Sequence, residues 1–307
     1  MAYKTETQQV SAQFVNANFV KKIEDGRIKE AAAEGSAFIR EFVRQESYAR
    51  EVLTPVLLTD DETDRDENTD EPKKIIEKEP ASTATFVQFQ GAGPRTWFHG
   101  PRYSVFFGKT ESQHFTKSKF QLMTYQNDIR KMLSDNSVKD MADQEDTKWQ
   151  TTIDYLAGLN TAEQVTTGDA FNSTAFKKGF QKMVDRRRPI GKMTMLKSLY
   201  YEALDLPATS VGNDVATKHY NEGVENEEKL WGIPVITTIK SNVHPQYKAY
   251  IYAPENYLGN FFLLQDATLY IKQEADLITF WTYAAPGIGI GNRLSFQVVD
   301  FTTALTA

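Results

Sequence analysis

Apolar residues recur at helical spacing along several stretches of the chain. In residues 27–53 they return every three or four positions among Arg and Glu, which predicts an amphipathic helix that Pro55 stops. Residues 124–157 carry a narrow apolar stripe on a polar background, which predicts a long helix that Gly158 ends, with a break near Ser134. Two shorter helices are predicted at residues 174–184 and 214–229.

Strand-like runs fall into an early and a late group. The early group surrounds Gly and Pro turns between residues 52 and 122 and predicts hairpins. The first 25 residues carry only scattered Phe and Val, so we expect an arm without a core of its own. The pattern as a whole predicts an α+β fold. The predicted strands are 52–59, 73–78, 85–90, 95–99, 103–108, 114–122, 193–199, 233–239, 249–253, 267–271, 277–283 and 294–301.

Composition narrows the protein class. A chain of 307 residues with 40% hydrophobic residues can bury one elaborate domain or two smaller ones. It has no cysteine, which excludes a disulfide-stabilised secreted scaffold and thiolate metal sites. The start of the sequence lacks a basic and then apolar leader, and the uncharged run 277–292 is too short for a membrane helix. We therefore expect a soluble intracellular protein.

Negative charge is concentrated in one short run, residues 59–72 (TDDETDRDENTDEP). It holds eight acids and one arginine and so nets −7, whereas the whole chain nets −6. Asp64, Asp66 and Asn68 match the opening of an EF-hand loop, but Thr69 and Ile75 stand where that loop needs Gly and Glu. We interpret the run as a solvated hairpin tip, because strand-like segments lie on both sides.

Signals for catalysis are weak throughout the sequence. The glycine-rich stretch 287–292 leads into a strand instead of a helix, and the GKT at 108–110 lacks the first glycine of a phosphate-binding loop. No zinc-protease or serine-hydrolase motif is present. We predict no catalytic, metal or cofactor-binding residue, no cofactor, and no enzymatic activity. The four histidines are scattered: His99, His114, His219 and His244.

A basic cluster stands at residues 185–189, where Arg186, Arg187 and Arg188 follow one another. Such a cluster can bind nucleic-acid phosphates. Without an aromatic platform or a wider basic field, pairing with acids across a subunit contact is the favoured interpretation.

Four local phrases occur in a characteristic order. They are FQLMTY at 120–125, QED at 144–146, LWGIPV at 230–235 and GNFF at 259–262. With these phrases in this order, the sequence resembles the major capsid proteins of tailed bacteriophages, the Hong Kong 97 fold. The resemblance implies an α+β fold with an N-arm, an extended E-loop, a peripheral domain with a long spine helix, and an axial domain.

The resemblance also implies a division of the chain and a function. Residues 1–50 would be the N-arm, 51–118 the hairpin extension with the E-loop, 119–160 and 261–307 the peripheral domain, and 161–260 the axial domain. The expected function is a structural head protein that self-assembles into an icosahedral shell around double-stranded DNA. Two alternatives remain open: an encapsulin-like nanocompartment that encloses a protein cargo, and a hydrolase whose site is assembled from distant residues.

The implied partners follow from the same resemblance. Copies of the chain would form hexamers and pentamers. They would assemble in the host bacterial cytoplasm and be found in the virion capsid. The packaged DNA would be bound without sequence specificity, and no membrane would be involved. No long helical segment precedes the arm, so we expect a separate scaffolding protein, with a portal and, in some relatives, a decoration protein. The acidic run would meet a basic surface of a neighbouring subunit. The candidate contact residues are Asp60, Asp61, Glu62, Asp64, Arg102, Lys109, Arg186, Arg187 and Arg188.

Overall fold

A computed structural model describes residues 12–77, 86–87, 89, 91, 93, 100–124, 129–168, 173–204 and 229–301. The helices, in chain order, are α1 (Ala12–Glu24), α2 (Ile28–Glu46), α3 (Tyr48–Val52), α4 (Lys119–Thr124), α5 (Ile129–Leu133), α6 (Lys139–Leu159), α7 (Thr161–Gln164), α8 (Ser173–Asp185), α9 (Lys197–Leu204) and α10 (Glu255–Leu258). A π-helical turn, Ser134–Val138, joins α5 to α6, so that helical backbone continues from 129 to 159. No described helix is both long and apolar enough to cross a membrane.

The strands of the described residues form three sheets. The first has the order β1–β12–β13–β5, with β6 also paired to β13; the second has the order β7–β14–β11–β8–β10–β9; the third is β2–β3–β4. The strands are β1 (Pro55–Leu57), β2 (Asp64–Arg65), β3 (Pro72–Glu77), β4 (Arg102–Phe106), β5 (Thr110–Glu111), β6 (Phe115–Ser118), β7 (Val165–Thr167), β8 (Lys192–Leu196), β9 (Lys229–Leu230), β10 (Ile233–Thr238), β11 (Lys248–Tyr252), β12 (Asn260–Glu274), β13 (Leu277–Gly289) and β14 (Phe296–Asp300).

The long β12–β13 hairpin supports the first core. Its inward residues Leu269 and Phe280 pack with Ile39 of α2 and Val138 of the π-helical turn. Phe19 of α1 lies 6.1 Å from the Phe280 ring, centroid to centroid. The expectation that the first 25 residues would lack a core is therefore corrected. Phe19, Val20 and Ile23 are spaced to share one helical face, and that face is buried in the common core.

The six-stranded sheet is covered on both faces. Ala249 and Ile251 of β11 face α8 and α9, whereas Tyr250 and Tyr252 of the same strand face the long helix α6. The predicted alternation near the C-terminus is present in β14, where Phe296 and Val298 both point to the α6 side. One sheet thus separates two cores and fixes α6 and α8 on opposite sides.

The small β2–β3–β4 sheet is an extension from this body. It is attached where β4 passes over β13, and Val105 is its buried contact residue. A Cβ at Gly289 would collide with the Val105 side chain, so glycine allows the close approach at this crossing.

Most helices and strands occur where the hydrophobic pattern predicted them, with differences in their ends. The predicted strand 114–122 stops at Ser118, because α4 begins at Lys119. The predicted 27–53 helix is interrupted at Ser47, whose backbone is extended. The residues predicted to break the long helix form the π-helical turn instead, and the helix ends at Leu159 rather than at Gly158. The predicted strand 193–199 stops at Leu196, where α9 begins. The predicted helix 214–229 and strands 85–90 and 95–99 lie wholly or mainly outside the described residues.

Candidate subunit-contact surfaces

The acidic run forms the β2–β3 hairpin and the turn before it. Residues 60–62 make a short 3₁₀ turn, and the hairpin is closed by backbone hydrogen bonds from Asp66 N to Glu71 O (2.9 Å) and from Asp70 N to Asp66 O (3.1 Å). Asp70 has a left-handed backbone (φ 55°), which Asp tolerates better than most residues. The acids are therefore held on an ordered turn, with strands on both sides as predicted.

Two of the acids are engaged within the hairpin. The Asp66 carboxylate accepts a hydrogen bond from Asn68 N (2.9 Å) and pairs with Lys73 Nζ (3.1 Å), and these bonds lower its pKa. The Glu62 carboxylate accepts from Thr59 N (3.0 Å), which likewise lowers its pKa. The remaining acids with described side chains face solvent without a partner among the described residues. They are Asp61, Asp64, Glu67, Asp70 and Glu71.

Two of the basic candidates have partners in their own chain. Arg102 pairs with Glu77 across the β3–β4 ladder. Lys109 Nζ lies 3.0 Å from a Glu111 carboxylate oxygen and 5.3 Å from the centre of the Tyr283 ring. Both cations are more than 60% exposed, so the pairs are worth little and can exchange for another partner.

The three consecutive arginines occupy different environments. The Arg186 guanidinium donates to the carbonyl oxygens of Phe296 (3.3 Å) and Glu163, and partial burial lowers its pKa. Arg188 lies over the Tyr257 ring, 5.6 Å from its centre. Arg187 is exposed and has a left-handed backbone (φ 56°). Arg186 therefore stabilises its own subunit, and Arg187 is the arginine that points outward.

A buried charge network joins the N-terminal helices to α6. Arg50 donates two hydrogen bonds of 2.7 Å to Glu145, and a third of 3.0 Å to Asp266 on β12. The side chains of Arg50 and Glu145 are 1% and 0% exposed. Burial raises the pKa of Glu145, and the Arg50 hydrogen bonds oppose that shift.

The neighbouring Asp146 has a separate set of partners. It accepts hydrogen bonds from Ser47 Oγ (2.8 Å), Ala49 N (3.0 Å) and Lys240 Nζ (2.7 Å). Burial raises its pKa, while Lys240 opposes the shift. Because each carboxylate is fully engaged with its own cation, the Glu145–Asp146 pair has the geometry of a structural clamp.

The two described histidines are engaged by neighbouring side chains. His244 is buried with its ring edge-on to Tyr48 and Tyr250, and burial lowers its pKa to about 4. His114 is exposed, stacks on Trp281 with ring centres 4.9 Å apart, and has Nε2 2.9 Å from a Glu111 oxygen. His99 and His219 lie outside the described residues. Within the part of the chain that is described, no cluster of His, Asp and Glu is arranged to hold a metal ion.

Comparisons with known proteins give no match by sequence and clear matches by structure. No protein-family model matches the sequence, and no curated protein does. The mature capsid of bacteriophage PhiM1 superposes with a TM-score of 0.57 at 11% identity, covering 84% of this chain and 87% of the other. The capsid of cyanophage P-SCSP1u gives 0.55 at 10% identity, covering 81% and 86%. The chain has the capsid-protein fold.

A third similar structure is a virus-like particle from Pyrococcus furiosus, with a TM-score of 0.57 at 13% identity. It covers 88% of this chain and 100% of the other. The similarity to capsid proteins therefore extends over most of this chain. The resemblance that the four ordered phrases indicated is confirmed for the fold, and α5, the π-helical turn and α6 together form the predicted long helix.

Proposed function

We propose that this chain is the major capsid protein of a tailed phage, a structural protein whose copies assemble into an icosahedral shell around double-stranded DNA. The observation that carries the proposal is the β2–β3–β4 extension on a capsid-protein fold. A small hairpin sheet is marginally stable alone, and this one places most of its acids in solvent. A neighbouring copy that covers this sheet would stabilise it.

Exposed apolar side chains beside the extension support the same proposal. Val56 and Leu57 on β1 are 51% and 63% exposed, and Phe106 at the end of β4 is 51% exposed. Large apolar side chains exposed to this degree favour a contact that removes them from water. The extension would therefore bring both charge and apolar area to a subunit contact.

The division into regions is part of the proposal. Residues 1–50 serve as the N-arm, 51–118 as the hairpin extension with the E-loop, 119–160 and 261–307 as the peripheral domain, and 161–260 as the axial domain. The subunits form hexamers and pentamers that assemble in the bacterial cytoplasm with a separate scaffolding protein, a portal and, where the phage has one, a decoration protein. Outside the acidic run the chain is nearly neutral, which suits a container that holds DNA without sequence-specific binding.

A protein-filled nanocompartment is the second candidate. It is favoured by the Pyrococcus furiosus virus-like particle, whose chain is covered completely. The two functions differ in the enclosed material, so the contents of purified shells distinguish them. An enzyme is a weaker candidate, because the buried ion pairs Arg50–Glu145 and Lys240–Asp146 are engaged in holding α3 and the segment after β10 against α6.

The test is the assembly state of the purified chain. Light scattering on a sizing column, followed by negative-stain electron microscopy, should show rings, tubes or closed shells. Shells that contain nuclease-protected DNA when the other head proteins are present support the phage function, and shells that contain only protein support the nanocompartment. A strict monomer at every concentration, even with those head proteins co-expressed, would overturn the proposal.

A further inference from the structure

Helix α8 is held firmly against the six-stranded sheet and presents one face to solvent. Phe176 and Met183 are fully buried in the second core. Gly179 lies so close to β14 that an added Cβ would come within 2.8 Å of Val299 Cγ2. Glycine at this position lets the helix approach the sheet, and the opposite face of α8 is consequently fixed in position.

The cations on and after α8 divide into two sets. Lys182 Nζ donates to the carbonyl oxygens of Ala162 (3.1 Å) and Val165 (3.0 Å), next to the carbonyls that Arg186 binds. These two cations stabilise the end of α7, as expected for positive charge at a helix C-terminus. They are occupied within the subunit.

The second set points outward. Lys177, Lys178 and Arg187 are exposed and have no partner among the described residues. Between them lie Gln181 and Val184, and Val184 is 63% exposed. At a rise of about 1.5 Å per residue, the patch from Lys177 to Arg187 is roughly 15 Å long. We name this patch the α8 face. It is cationic and contains one exposed apolar residue, Val184.

We propose that the α8 face of one copy receives the acidic β2–β3 hairpin of an adjacent copy. The inference rests on the proposed shell function and names the surface that the hairpin meets. Five exposed carboxylates on the hairpin and the turn before it have no partner among the described residues, and the three outward cations on and after α8 have none either. Each strand residue adds about 3.3 Å, so the acidic hairpin turn is no longer than the α8 face and can lie along it.

Within one chain, none of the described hairpin carboxylates pairs with a cation of the α8 face. Ile76 and Glu77, at the C-terminal end of β3, line a groove together with Arg188. The acidic turn is at the other end of that strand, before Pro72, about 16 Å away along the strand. The contact therefore joins two copies.

The contact is head to tail, because hairpin and α8 face are different surfaces of one chain. Such heterologous contacts close into rings when the rotation between copies allows it. Double-stranded DNA is the competing occupant of a cationic face. It is less favoured here because three cations beside Asp185 and Val184 make a narrow patch, whereas a DNA-binding surface needs a broad basic field.

Charge reversal on each side, alone and together, tests the proposal. The receptor variant carries Lys177→Glu, Lys178→Glu and Arg187→Glu, and the hairpin variant carries Asp61→Lys, Asp64→Lys and Glu67→Lys. Each alone should lower the yield of sedimenting shells by about tenfold, since like charges across a contact are strongly unfavourable. The combined variant should recover shells to within about twofold of the wild type, because the attraction is restored with opposite sign.

Two controls keep the result interpretable. The first control variant carries Lys21→Glu, Lys29→Glu and Lys131→Glu, at exposed lysines on α1, α2 and α5. It changes the net charge by as much as the receptor variant does, and it should leave shell yield unchanged. Circular dichroism and thermal unfolding of all variants check that the subunits fold.

The outcomes separate this inference from the shell function itself. If the wild type forms shells and the receptor variant does so equally well, the inference is overturned while the shell function stands. If the receptor variant fails, the combined variant is not restored, and binding of a labelled DNA duplex falls instead, the α8 face is a DNA surface and the inference is overturned. If the wild type forms no assembly at all, the shell function itself fails.

Discussion

Arg50 and Glu145 are joined by two parallel hydrogen bonds of 2.7 Å, although they lie 95 residues apart in the sequence and both are buried. The pair connects the segment after α2 to the middle of α6. A guanidinium and a carboxylate in this bidentate arrangement fix orientation as well as distance. The segment after α2 is therefore held in a fixed orientation against α6.

Removing the guanidinium should destabilise the folded subunit strongly. Arg50→Met fills similar volume but leaves Glu145 as a buried charge without its partner. We expect a loss of about 3–5 kcal/mol in the free energy of unfolding, measured by urea denaturation of unassembled subunits. Arg27→Met is the matched control, because Arg27 pairs with Asp25 at the surface and should cost less than about 1 kcal/mol. Equal losses in the two variants would contradict the clamp.

Stability should fall at acid pH because His244 is buried in its neutral form. Burial lowers its pKa from 6.5 to about 4, so the unfolded chain binds a proton more readily between these values. The contribution is fully present above pH 6.5 and is lost as the pH falls towards 4, by a total of about 3 kcal/mol. His244→Gln should show a correspondingly smaller loss between pH 7 and pH 4. Parallel pH profiles for the two proteins would contradict this role.

The crossing of β4 over β13 should tolerate no side chain at 289. Gly289→Ala pushes its methyl group into Val105, so we expect a loss of about 1–3 kcal/mol and faster proteolysis within residues 59–72. Adding Val105→Ala makes room and should recover part of that loss. A double variant no more stable than Gly289→Ala alone would show that the two residues do not compete for space.

The acidic run should be required for assembly and dispensable for folding. Reversing Asp60, Asp61, Glu62 and Asp64 together to lysine should reduce shell yield by about tenfold, because the partner surface then meets like charge. The thermal midpoint of the isolated subunit should stay within a few degrees of the wild type, since Asp61, Glu62 and Asp64 are at the surface. Shells of normal yield and size from this variant would refute the role of the hairpin in subunit contact.

Local pattern predicted the helical stretches α2–α3, α5–α6 and α8 and many of the strands, because apolar spacing is set by the face each element buries. It could not predict the interruption at Ser47, which depends on a hydrogen bond to Asp146, 99 residues away. The core role of α1 was missed for a related reason. Phe19, Val20 and Ile23 form a short apolar face among polar residues, and its partner, Phe280, comes from the other end of the chain.

The sequence predicted the candidate contact surfaces only where their charge comes from residues that are close together in the chain. The acidic hairpin follows from composition and flanking strands. Arg186, Arg187 and Arg188 look equivalent in the sequence, yet the structure separates them, because the carbonyls that bind Arg186 belong to Glu163 and Phe296. Lys177 and Lys178 carried no signal beyond that of an ordinary solvated helix face. Their significance appears only once Lys182 and Arg186 are seen to be occupied.

The most direct test of the shell function is a cryo-electron microscopy reconstruction of the assembled wild-type protein. The account predicts closed icosahedral shells in which the β2–β3 hairpin of each copy lies on a neighbouring copy. A protein that remains monomeric under all assembly conditions, or shells in which the hairpin extends into solvent with no neighbour against it, would contradict the account.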